Sequence, residues 1–260
     1  GFAPNEASPV VHVVSNGAPV WATLQVSTVR GLVPGGLDRI VSIGEPATSM
    51  LVPIVRQPVE SVIGPLRVDP DYSDTGTLLR LFTPGEVDGT ATVTITPFDG
   101  SEPSAVTTPL VAGKVLDISI DELATGDFSI AVDADVPVLA SARFSTYSTS
   151  SEITDMAWAP AVVAHDGPAM GFVPVAKSTL VISNAGDTAA TVDVNSAGTS
   201  TTVTVAAHSS TVVTVARGAL AVASDAPVTY GVLVSTSTGI ATLRLPTEPL
   251  GARSVEVISH

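Results

Sequence analysis

The chain has 260 residues, with 25 acidic and 11 basic side chains and a formal charge of −14. Its 40 valines and 30 threonines favour strands over helices, and with only 14% of residues charged it is too apolar for a disordered chain. The acidic balance excludes a phosphate-binding surface, so no nucleic-acid partner is expected, and the lack of cysteine excludes disulfides and thiolate metal sites.

The opening Gly1-Phe2-Ala3-Pro4-Asn5-Glu6 has neither the basic start nor the apolar stretch of a signal peptide. Either a leader was removed or the chain is a piece of something longer. No segment reads as membrane-spanning. The long uncharged stretch Asn195 to Ala216 is rich in Ser and Thr and alternates like a strand.

Internal repetition is the most informative feature. Ala18-Pro19-Val20-Trp21-Ala22 is followed by Val26-Ser27-Thr28. Val136-Pro137-Val138-Leu139-Ala140 is followed by Phe144-Ser145-Thr146, and Ala226-Pro227-Val228-Thr229-Tyr230 by Val234-Ser235-Thr236. Pro and Ser are 8 positions apart each time, and Val14, Val132 and Val222 each stand five before the Pro. Short polar stretches intervene: Ser15-Asn16-Gly17, Asp133-Ala134-Asp135 and Ser224-Asp225. The pattern predicts strand, tight turn, strand. Alternate positions after the Pro are mostly apolar, as in Val138, Ala140, Ala142 and Phe144, which predicts a half-buried antiparallel strand.

Two further elements occur twice. Leu51-Val52-Pro53-Ile54-Val55 resembles Phe172-Val173-Pro174-Val175-Ala176. Asp88-Gly89-Thr90-Ala91-Thr92-Val93 resembles Asp187-Thr188-Ala189-Ala190-Thr191-Val192 at an offset of 99, and Leu78 to Gly85 pairs with Thr179 to Gly186. The offset falls to 90 for the later motif, so the first copy holds longer loops, expected between Asp99 and Pro109. Helix is scarce: Asp121-Glu122-Leu123-Ala124 predicts a single turn.

The predicted fold is all-β, as tandem Ig-like β-sandwich modules of antiparallel sheets. Residues 48–168 form one sandwich and 169–260 another, with Ser254 to Ile258 able to add a strand. Residues 1–47 match only the late strands of a module. They must pack on a neighbour, be completed by another chain, or continue a module that begins upstream.

The stretch Val11 to Ala22, Ser27-Thr28-Val29-Arg30-Gly31-Leu32-Val33-Pro34-Gly35-Gly36, Arg80-Leu81-Phe82-Thr83-Pro84-Gly85 and Asp155-Met156-Ala157-Trp158 together resemble a family of large secreted actinobacterial proteins known only as a domain of unknown function. The resemblance implies an extracellular or cell-envelope location and members longer at the N-terminus. It implies no chemistry and carries over no catalytic residues.

Candidate chemistry is sparse. Asp69, Asp71 and Asp74 put three carboxylates in one turn, hard oxygen ligands suited to Ca²⁺, although EF-hand spacing is absent and Asp-Pro turns are acidic without a metal. Trp21 and Trp158 could each stack on a sugar ring; otherwise Trp21 packs against the next module or closes the sandwich, and Trp158 makes a core or inter-module contact. His12, His165, His208 and His260 stand apart, and His12 falls where other copies carry Ile130 and Leu220, so it is expected on an apolar face. There is no Gly-x-Ser-x-Gly elbow and no Ser-x-x-Lys.

Taken together, these features predict a non-enzymatic secreted or envelope protein that presents loops and sheet edges to a protein partner. Asp99 to Pro109, Gly31 to Gly36 and Asp69 to Asp74 are the candidate contact surfaces. The alternatives are a module binding cell-wall carbohydrate and a self-assembling surface fibre subunit.

Overall fold

β-branched side chains fit a pleated strand better than a helical turn, and their alternation through this chain sets its architecture. The computed structural model describes residues 10–13, 16, 20, 22–30, 33–67, 72, 75–148 and 153–246. Among them the protein is all-β, built of antiparallel sheets with a single short helix. No helix among the described residues is long and apolar enough to cross a membrane. The chain divides into two units, Gly1–Val163 with Ser235–Thr242, and Ala164–Val234 with Leu243–His260.

The first unit opens with a hairpin, β1 (Thr23–Arg30) and β2 (Val33–Val41). Then come β3 (Ala47–Gln57), helix α1 (Glu60–Arg67), β4 (Leu78–Phe82), β5 (Gly89–Pro97), β6 (Ser104–Leu110), β7 (Val115–Ser119), β8 (Gly126–Ser148) and β9 (Ile153–Pro160). β8 serves two layers. Its first part pairs with β3 and β5, and β5 pairs onward with β6. Its second part pairs with β4 and β9, and β4 pairs onward with β7. Val93, Ile130 and Val132 in one layer and Leu79, Leu81 and Phe144 in the other are closed to water.

The second unit holds β10 (Ala169–Val173), β11 (Ser178–Asn184), β12 (Ala190–Ser196), β13 (Thr199–Val205), β14 (Ser209–Val215), β15 (Gly218–Ser224) and β16 (Thr229–Ser235). Its pairings reproduce those of the first unit. β10–β15, β12–β15 and β12–β13 answer β3–β8, β5–β8 and β5–β6, while β11–β14 and β11–β16 answer β4–β7 and β4–β8. A last strand, β17 (Ile240–Leu243), follows a turn closed by Thr236 N–H to the Gly239 carbonyl at 2.8 Å.

The predicted turn at Asp133-Ala134-Asp135 is not there: β8 runs 23 residues unbroken. Ser49 and Thr92 stand opposite Asp133, Ala91 opposite Ala134 and Ala47 opposite Val138, so partners on both sides keep the chain extended as it passes between layers. In the second unit the same passage is an interruption between β15 and β16. Each passage carries the same strap. Asp135 Oδ1 accepts Thr90 N–H at 2.7 Å, and Asp225 Oδ1 accepts Thr191 N–H at 2.7 Å.

The straps make Thr191 the counterpart of Thr90, two residues from the equivalence that the local sequence similarity suggests. A slip of two leaves every side chain on its own face, so alternation cannot detect it. Gly89 is required where β5 meets this passage, since a Cβ there would lie 2.4 Å from Val136.

Three smaller expectations also change. The stretch predicted as a long loop from Asp99 to Pro109 is loop only as far as Pro103, and β6 takes the rest. Helix α1 is present where no helix is predicted, with Pro65, a residue that local preference keeps out of helix interiors, inside it. His12 is exposed. Ile130 and Leu220 are buried because they lie in β8 and β15, whereas residues 10–13 belong to no strand.

Candidate functional site

The two units share a frame but differ most in three connections: β3 and β4 are joined by 20 residues (58–77), which hold α1, and β10 and β11 by four (174–177). β5 and β6 are joined by six residues (98–103), and β12 and β13 by two (197–198). β7 and β8 are joined by six (120–125), and β14 and β15 by two (216–217). The connections 98–103 and 120–125 of the first unit lie side by side, and Phe98 N–H on the first donates to the Asp127 carbonyl at the start of β8, at 3.0 Å. Between them lies a cavity of about 450 Å³, lined by these connections and the strand ends next to them.

Its floor is apolar. Ile95 and Phe128 are buried strand residues, and Phe98 and Leu123 are half-buried on the connections. Its charged lining residues are Asp99, Glu102 and Asp127, all acidic. Asp127 is held by Arg56 in a two-point ion pair, Nε and Nη2 each 2.7 Å from a carboxylate oxygen. Asp99 accepts from the Ser101 hydroxyl and backbone N–H, which hold its carboxyl below the usual range, the hydroxyl contributing most. Asp121 anchors the other connection: its Oδ1 takes Thr77 N–H at 2.7 Å and its Oδ2 the Ser119 hydroxyl at 3.2 Å.

A second cluster joins the N-terminal hairpin to β9. Asp155 Oδ1 accepts Leu37 N–H at 3.2 Å, and its Oδ2 accepts Ile240 N–H at 2.9 Å. Asp38 Oδ2 accepts Trp158 N–H at 2.6 Å. Burial raises the Asp38 carboxyl above its ordinary value, the Trp158 and Arg39 N–H groups work against this, and Asp155 adds to the rise. Gly36, at φ 126, passes so close to β9 that a Cβ would lie 3.0 Å from Met156 N. Arg30 is buried, and its Nη1 donates to the Gly35 carbonyl and Thr154 Oγ1, both at 2.9 Å. These residues bind strands together, and the Asp38 and Asp155 carboxylates are occupied by backbone donors.

Trp158, a predicted stacking residue, is 8% exposed, and the Arg80 guanidinium lies 4.9 Å from its ring centre. Arg80 is itself clamped by Asp117, with Nε 2.7 Å and Nη2 2.8 Å from the carboxylate. A sugar could reach this face only if Arg80 left it. Trp21, and the predicted ligands Asp69, Asp71 and Asp74, lie outside the described residues, as do His260 and Ser254 to Ile258.

The other histidines stay apart. His165 meets Tyr230 edge to face at 5.2 Å, and His208 Nε2 lies 3.0 Å from Asp187 Oδ1 at the surface. Burial lowers the pKa of His165 and pushes the Tyr230 phenol up to about 12. No three metal-ligating side chains gather among the described residues. Sequence reasoning placed the longer loop between Asp99 and Pro109 but missed its companion at 120–125. The drop in offset from 99 to 90 between copies was the signal for both.

Residues 1–238 match a family of unknown function, DUF5719. The chain belongs to this family. No curated protein matches it. A crystal structure titled Thermotoga maritima 1070 is similar at 16% identity and a TM-score of 0.37, covering 45% of this chain and 94% of that one. The family carries no assigned activity, so any functional reading rests on the chain's own residues.

Proposed function

We propose that this is a non-enzymatic, secreted or envelope-associated interaction protein, in which the first unit presents its paired connections to a partner protein. One observation carries this. On a duplicated frame, two connections lengthened in the first unit, 98–103 and 120–125, together line a cavity. Connections vary freely on a fixed frame and are where recognition surfaces are built. The repeated strand pairings supply the rigid support such a surface needs.

The test places a photocrosslinking residue at Ser104, which lines the cavity but lies outside 98–103, in the full chain, expressed in its native cell, with the adducts identified by mass spectrometry. A defined protein adduct in the envelope or medium fraction, lost when 98–103 is replaced by the Ala197-Gly198 turn, is the expected result. The proposal fails if no adduct forms or if the same adducts persist after the replacement.

A second reading, self-assembly, is favoured by one feature. β6 and β13 end their sheets among the described residues, both are largely exposed, and neither contains a charged residue. Such edges are templates for pairing with another chain. Light scattering of the full chain over a wide concentration range separates the two: growth of mass with concentration favours assembly, and a constant monomer mass favours a foreign partner.

A further inference from the structure

We propose that the cavity between connections 98–103 and 120–125 receives one apolar side chain of an extended, basic segment of a partner protein, and that this segment runs along the open edge of β6. The inference rests on the interaction reading above and adds the partner's chemistry.

Size and lining come first. About 450 Å³ is small for a folded domain but ample for one large aliphatic or aromatic side chain, and pockets of this size bury apolar groups. Ile95, Phe98, Leu123 and Phe128 supply the apolar contact. Charge comes second. Asp99 and Glu102 are exposed on one wall, and the cavity lining contains no cationic side chain among the described residues. The nearby Asp127 is already neutralised by Arg56, so Asp99 and Glu102 remain to choose the occupant. In a chain of charge −14, lysine or arginine beside the inserted side chain complements that wall, and an acidic segment is repelled.

The edge comes third. β6 begins at the cavity wall with Ser104 and ends its sheet among the described residues. An added strand would satisfy its outward backbone groups, and the alternation of side chains would bring every second residue to one face. The second unit is an internal control. β13 has the same exposure pattern as β6, but a two-residue turn stands where the cavity would be. The edge alone is therefore common to both units, while edge and cavity together occur in the first.

The test pans a displayed library of random nine-residue peptides against the full chain, against Asp99→Asn/Glu102→Gln, and against the chain carrying the Ala197-Gly198 turn in place of 98–103. Enriched peptides are expected to carry an apolar residue flanked by lysine or arginine. Their binding should weaken roughly tenfold in the neutralised variant and at high salt, because the wall acts through charge. It should be lost with the short turn. Melting curves check that each variant folds, and the neutralised variant keeps the test decisive if the shortened chain does not. Enrichment of acidic or uncharged peptides, unchanged binding to the shortened folded chain, or no enrichment overturns the proposal. If the Ser104 adduct depends on 98–103 while no basic peptide is enriched, the cavity chemistry falls and the interaction reading stands.

Discussion

Leu81→Ala tests the layer assignment directly. Leu81 is the fourth of the five residues of β4, opposite Leu116 on β7 and Ala140 on β8, and none of its surface reaches water. The substitution removes roughly three methylene equivalents at about 0.8 kcal/mol each, or about 2.4 kcal/mol of transfer free energy. Strands held on both sides cannot collapse to fill the gap, and the small Ala140 opposite cannot reach into it, so the cavity adds about 1 kcal/mol or more. The expected loss is therefore about 3 to 4 kcal/mol. Urea unfolding of the full chain, followed by tryptophan fluorescence, reads it as a lower midpoint at unchanged slope. A loss under about 1 kcal/mol would mean that Leu81 faces solvent. The β4 register would then be wrong by one residue, and every side chain of the strand would be on the opposite face.

Three further outcomes are expected. Asp135→Ala and Asp225→Ala should each cost about 1 kcal/mol in urea unfolding, since each removes the charged acceptor of one backbone N–H at an exposed site; a silent change at either position would break the equivalence of the two straps. Arg80→Ala in a Trp21→Phe background should make Trp158 markedly more quenchable by acrylamide and cost about 1 kcal/mol; unchanged quenching would mean that the guanidinium does not cover the ring. His165 has a folded pKa below its ordinary 6.5, so the unfolded chain binds more protons between the two values. Stability from this group is complete above about 6.5 and is lost as pH falls toward the folded value. A His165→Phe variant should lose that slope in melting temperature against pH, and an identical slope would assign the dependence to other groups.

Much of this fold is legible in the residues because a strand records its environment every second position. Val138, Ala140, Ala142 and Phe144 alternate in sequence, and all four are buried. Leu24, Val26 and Thr28 do the same more weakly, half-buried on β1. The β-branched content, the duplicated segments and the longer loop after Asp99 follow from local preferences, which act on residues close in sequence. The family relationship is of the same kind, carried by Val11 to Gly36 and Arg80 to Gly85.

Other features depend on partners distant in the chain, and no local pattern encodes them. Asp133 to Asp135 reads as a turn by composition, yet Ser49, Thr92 and Ala91 hold it extended. The equivalence of Thr90 and Thr191 is fixed by Asp135 and Asp225, each more than thirty positions away. Trp158 reads either as a packed side chain or as a stacking platform, and burial with Arg80 over its ring is what decides for packing. The cavity is the clearest case. Phe98 and Leu123 are unremarkable connection residues in the sequence, and they share a site only because the sheets bring two separate connections to one end. Short-range preferences determine the strands, and the pairing of distant strands decides what the loops between them can do.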